Sequence, residues 1–166
     1  KNLNLDEAVK QIARQKAYAA VESLKSLKTQ DFLIISSDTV VVFKGEVFGK
    51  PENKAMAYRF LGQLSGATHE VKTSICMVDD QGKEACEIES SFVTFRSLSE
   101  DEIWAYIETG DPMDKAGAYG IQAVGKTFIS ELKGSLDNVM GLSIALTKRM
   151  IEKNGWIISK NTTDKN

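Results

Sequence analysis

The chain has 166 residues, 42% hydrophobic and 27% charged, which suits one domain of ordinary size with its own core. A formal net charge of -2 excludes a general attraction for nucleic acid polymers or anionic lipid, so any phosphate must be held by a local cluster. No apolar run approaches the roughly 20 residues of a membrane span, and the first residues lead into a charged helix rather than a signal peptide, which predicts a cytoplasmic protein.

The first element is a helix over residues 5–27, with Leu5, Ala8, Val9, Ile12, Ala13, Ala20, Val21, Leu24 and Leu27 at three- and four-residue steps. Asn4 is a candidate N-cap, followed by acidic Asp6 and Glu7. The unbroken apolar run Phe32 to Ser36 predicts a strand buried on both faces. Val40 to Phe43 and Glu46 to Phe48 predict a hairpin turning at Lys44-Gly45. Pro51 opens the next predicted helix and Gly66 ends it. Val71 to Val78 and Glu84 to Phe95 read as strands joined by Asp79-Asp80-Gln81-Gly82. Ser99 and Glu102 form a capping box that starts a helix closed by Gly110. Residues 111–125 are glycine-rich and irregular, and Phe128 to Leu132 is the last predicted strand. A final helix covers roughly residues 138–153 and stops at Gly155, before a polar tail over 159–166 expected to fray. Interspersed helices and hairpin-joined strands predict an α/β domain over residues 1–158, a mixed sheet with flanking helices. Cys76 and Cys86 flank the second hairpin. Reduced thiols are expected there, a disulfide being the alternative. With His69 the single histidine, no zinc site is expected.

Four spots carry candidate chemistry. Asp38 follows an apolar run and precedes Thr39. A carboxylate at a strand end can hold a hard cation or take a proton from water, but it can also close an Asx turn. Lys16 lies on the apolar stripe of the first helix, either snorkelling past the core edge or aimed at a phosphate site. Gly49-Lys50-Pro51 sets a lysine beside a predicted helix start, a phosphate-attracting arrangement or a plain junction. Residues 110–125, GDPMDKAGAYGIQAVG, lack the preceding strand of a dinucleotide fingerprint. They suit a ligand-enclosing loop, with Lys115 as a cation and Gln122 as a two-way amide, or a surface Ω-type loop.

Together, SSDTVVVFKGEVFGKP, AYRFLGQLSGATHEVKT, DKAGAYGIQ and GSLDNVMGL resemble the Maf-like nucleoside triphosphate pyrophosphatases, over nearly the whole chain from Leu5 to Ile151. The likeness is nearest to the dTTP/UTP-cleaving branch and to the Maf domains of acetylserotonin O-methyltransferase-like proteins. The resemblance implies an elongated α/β fold with two lobes around a cleft. It implies metal-dependent cleavage, with Mg²⁺ or Mn²⁺, of a nucleoside triphosphate to monophosphate and pyrophosphate. Asp38 then maps onto the general base and metal partner, Lys16 and Lys50 onto phosphate-binding lysines, and Thr39 and Gln122 onto the substrate-class positions. A homodimer is a family-level expectation. The family's opening strand, its S-x-S-P-R-R loop and a following glutamate have no match in this chain. The expectation is therefore that these 166 residues alone are poorly stable and nearly inactive. The alternative is a nucleotide-binding module without catalysis. Ser143 also stands where a proline is common, which bears on the local helix start.

Overall fold

The computed structural model describes residues 5–124 and 127–158. Five strands, β1 (Leu33–Phe43), β2 (Glu46–Phe48), β3 (Thr68–Asp79), β4 (Glu84–Phe95) and β5 (Ile129–Lys133), form one sheet in the order β2-β1-β3-β4-β5. Among the described residues, six helices accompany these five strands: α1 (Leu5–Ser26), α2 (Lys54–Leu64), α3 (Glu100–Glu108), α4 (Ile121–Val124), α5 (Leu136–Val139) and α6 (Ile144–Lys153). Short 3-10 turns cover Asp111–Asp114 and Ala116–Ala118. The α/β class and the flanking helices stand as expected. Each described pairing is antiparallel, so the parallel pair of a mixed sheet is not among the described strands. The candidate cap Asn4 and the tail from Ser159 lie outside the described residues, as does Gly125.

The largest difference from the sequence reading is β1. One strand of 11 residues runs through Ser36, Ser37 and Asp38 where two were expected, and Ile35 is exposed. Its alternation puts Ser36, Asp38 and Val40 on the face that meets α1, because Ser36 Oγ donates to the Ala13 carbonyl at 2.7 Å. Thr39 and Val41 point to the opposite face. Asp38 therefore sits mid-strand, neither at a carboxyl end nor in an Asx turn.

Two apolar clusters divide the opposite face. Val41, Val71, Val93 and Phe95 pack beneath α2 and α3. Ile75 and Met77 pack beneath α6, on Leu146 and Met150. On the first face Ala17 and Val21 of α1 cover Val78. The long strands thus run through two separately packed lobes, with a cleft between them.

The caps explain most boundaries. Asn53, not Pro51, starts α2, its Oδ1 accepting from Met56 N at 2.9 Å. Ser99 and Glu102 form the expected box, and Lys44 and Gly45 both take positive φ, 51° and 83°, as a two-residue hairpin turn requires. The expected helix over 138–153 is two helices. Gly141, at φ +107°, breaks the period, and Ser143 restarts it as the N-cap of α6. Cys76 and Cys86 face each other in register with Cα atoms 4.2 Å apart and are joined as a disulfide, against the expectation of free thiols. No described helix is long and apolar enough to cross a membrane.

Candidate active site

β2 pairs with β1 only over Val41–Phe43, so the outer edge of β1 from Leu33 to Val40 has no strand partner among the described residues. A cavity of about 700 Å³ opens at that edge. An edge is the one place where a ligand can meet both faces of a strand, and here Asp38 from one face and Thr39 from the other line the same space. Lys16, Lys50, Lys115 and Gln122 line it too. All six residues singled out in the sequence therefore meet in one cavity.

Their partners differ. Lys16 Nζ, from α1, lies 2.6 Å from Asp38 Oδ1 and 3.2 Å from the Ser37 carbonyl. Asp38 is mostly buried, its side chain 16% exposed, while Lys16 is 53% exposed. Lys16 thus neither merely snorkels nor stands free, but neutralises the carboxylate. Gly49-Lys50-Pro51 lies before the Asn53 cap, so Lys50 reaches the cavity from a loop and not from a helix terminus. Lys115 is ion-paired with Asp114. That hydrogen bond raises the ammonium pKa, and it lowers the Asp114 carboxyl with a smaller effect from Lys50. Gln122 is exposed, its Nε2 3.9 Å from Met140 Sδ.

Sequence reasoning missed several residues of this site. Tyr119 lines the cavity from its buried side, and its hydroxyl meets His69 Nε2 at 2.7 Å. Burial holds Tyr119 protonated and pushes His69 down to about 4. Met140 and Gly141 line the cavity in the turn between α5 and α6, Met140 Sδ lying against Gln122 and Gly141 leaving room that a Cβ would take up against Thr39 Oγ1. Thr73, directly across from Thr39 in the register, is fully buried below it. Its signal was a hydroxyl inside the strand V-K-T-S-I.

Two carboxylates line the cavity, each paired with a lysine, and Asp38, 16% exposed against 72% for Asp114, is the one that could hold a divalent cation away from bulk water. A single carboxylate suits an octahedral ion that keeps water and phosphate oxygens as its other ligands, not an ion caged by protein alone. Among the described residues, the one cluster of three potential metal ligands is Cys76, Glu84 and Cys86, whose sulfurs are bonded to each other.

The sequence profile of the family described as Maf-like protein matches residues 1–154. The chain belongs to the Maf-like family. A dTTP/UTP pyrophosphatase of Bdellovibrio bacteriovorus is 48% identical over 154 residues, 92% of this chain and 80% of the relative. A nucleoside triphosphate pyrophosphatase of Haemophilus ducreyi is 47% identical over 86% of this chain and 72% of its own. In Thermococcus kodakarensis a dTTP/UTP pyrophosphatase is 42% identical over 90% of this chain and 77% of its own.

Proposed function

We propose that this Maf-like chain is a nucleoside triphosphate pyrophosphatase that hydrolyses dTTP, UTP or modified pyrimidine nucleotides. The observation that carries this reading is the convergence of Asp38 with Lys16, Lys50 and Lys115 in one cavity at an open strand edge. A triphosphate needs its oxygen charge offset and a water aligned on the α-phosphorus, and positioning with electrostatics supplies most of the rate. Asp38 takes a proton from that water, whose oxygen bonds to the α-phosphorus. The bond to the bridging oxygen breaks, leaving a nucleoside monophosphate and pyrophosphate. Lys16 and Lys50 hold the phosphate chain, with Lys115 at its margin. Asp38 is also the residue that would hold Mg²⁺ or Mn²⁺, which when bound neutralises charge on the phosphate oxygens. Thr39 and Gln122 face the nucleoside. The reading takes residues 1–158 as one domain acting on free cytoplasmic nucleotides, as a homodimer.

A pyrophosphate-release screen over nucleoside triphosphates tests it, with Mg²⁺ or Mn²⁺, on the protein with and without an S-x-S-P-R-R segment ahead of Lys1. UTP and dTTP should lead, and the extended form should be the more active. Asp38→Asn in that form should lower kcat roughly 10²- to 10⁴-fold while sparing the fold, as for loss of a general base. No release from any nucleotide, or an undiminished rate in the variant, would overturn the assignment.

A further inference from the structure

Thr73 is fully buried in β3, and its Oγ1 has two oxygen neighbours. One is the Asn138 carbonyl at 2.8 Å, the other Thr39 Oγ1 at 2.8 Å. A hydroxyl has one proton, and a carbonyl oxygen has none. The short contact with the Asn138 carbonyl therefore consumes the proton of Thr73. The contact between the two threonines can then form only if Thr39 donates. With its proton turned inward, Thr39 shows the cavity lone pairs alone.

The arrangement is held from behind. Asn138 is fully buried, and its Nδ2 donates to Ser91 Oγ at 3.0 Å and to the Val71 carbonyl at 3.3 Å, which fixes the residue under Thr73. The following turn closes on Thr39 itself. A Cβ on Gly141, at φ +107°, would stand 3.4 Å from Thr39 Oγ1, while Met140 reaches Gln122.

We infer that Thr73 is a positioning residue that makes Thr39 an acceptor only, and that Thr39 thereby reads the ring N3–H that uracil and thymine carry and cytosine lacks. The inference rests on the pyrimidine-nucleotide reading above and deepens it. Cytosine would set the lone pair of its N3 against those of Thr39, and a site built on hydrogen bonds rejects a partner that leaves its polar groups unmatched.

The test uses the protein active in the pyrophosphate screen. In Thr73→Val the proton of Thr39 is released, so its hydroxyl can meet either ring. The Asn138 carbonyl keeps the Gly141 N–H at 3.0 Å and is not orphaned. The UTP-to-CTP ratio of kcat/KM should fall roughly three- to tenfold, the worth of one net hydrogen bond. Thr73→Ser, which keeps the relay, should hold the parent ratio. The unaltered protein should cleave 3-methyl-UTP, which has no N3–H, far more slowly than UTP, and that arm decides the matter if Thr73→Val fails to fold. An unchanged ratio in a folded Thr73→Val overturns the inference. So does rapid cleavage of 3-methyl-UTP coupled with loss of 2′,3′-dideoxy-UTP, since Thr39 would then read the ribose. Equal use of UTP and CTP by the parent overturns this inference alone, whereas no pyrophosphate from any nucleotide overturns the pyrophosphatase reading itself.

Discussion

His69 shows at the residue scale how burial becomes a pH dependence. It is 2% exposed, and desolvation lowers its pKa from 6.5 to about 4. The unfolded chain takes up that proton first as pH falls. Stability should therefore be level above pH 6.5 and decline between 6.5 and about 4, by about 3 kcal/mol in all. Denaturant unfolding at pH 7 and pH 5 should show the decline, and His69→Gln should flatten it relative to the parent. An equal slope in both proteins would assign the decline to other groups. At this scale the charged part of the site was legible. Asp38 and Lys16 stood out because a charge among apolar residues needs a reason, and Lys50 because it stands between Gly49 and Pro51. Thr73 and Asn138 did not, because their meaning lies in hydrogen bonds between residues 34 and 65 positions apart. Nothing local in a sequence gives the direction of a proton.

Elements were legible where a local rule governs them. The capping box at Ser99, the turn at Lys44-Gly45 and most of the stripe of α1 follow from near neighbours, although Ile12 and Leu27 of that stripe are exposed and Ala17, which it left out, is fully buried. Two features did not. The polar residues of β1 masked one continuous strand, since a pleat that faces a helix on one side and a cleft on the other need not alternate cleanly. The break between α5 and α6 was hidden by apolar residues that keep a helical period across Gly141. A second glycine governs how the loop after α3 meets the sheet. Gly117 has φ +69°, and a Cβ there would stand 2.7 Å from Val41 Cγ2. Gly117→Ala should therefore lose about 2–4 kcal/mol, combining left-handed strain with overpacking. It should also impair nucleotide binding, because Lys115 and Tyr119 flank it. Urea unfolding measures the first effect, and wild-type stability in the variant would show that the loop can lift off β1 at little cost.

For the whole molecule, two lobes share one sheet, and the cavity sits where β1 loses its outer partner. The family likeness implied the lobes, but the shared edge depends on which strands become neighbours, and that is a property of the folded chain. Across this edge Lys16 of α1 meets Asp38 of β1 at 2.6 Å. On the proposed reading the site is its own first competitor: the cation assigned to phosphate and the anion assigned to metal occupy each other. A ligand bearing only one sign of charge must break the pair and leave one member unmatched. A metal–nucleotide complex carries both signs and can exchange partners without stranding either. Lys16→Met should consequently shift two affinities in opposite directions, tightening Mn²⁺ alone while weakening a non-hydrolysable UTP analogue. Calorimetric titration of each ligand into both proteins measures this. Parallel shifts would mean that the pair braces the lobes without guarding the site, whereas opposed shifts would make it a two-key lock in which neither key turns alone.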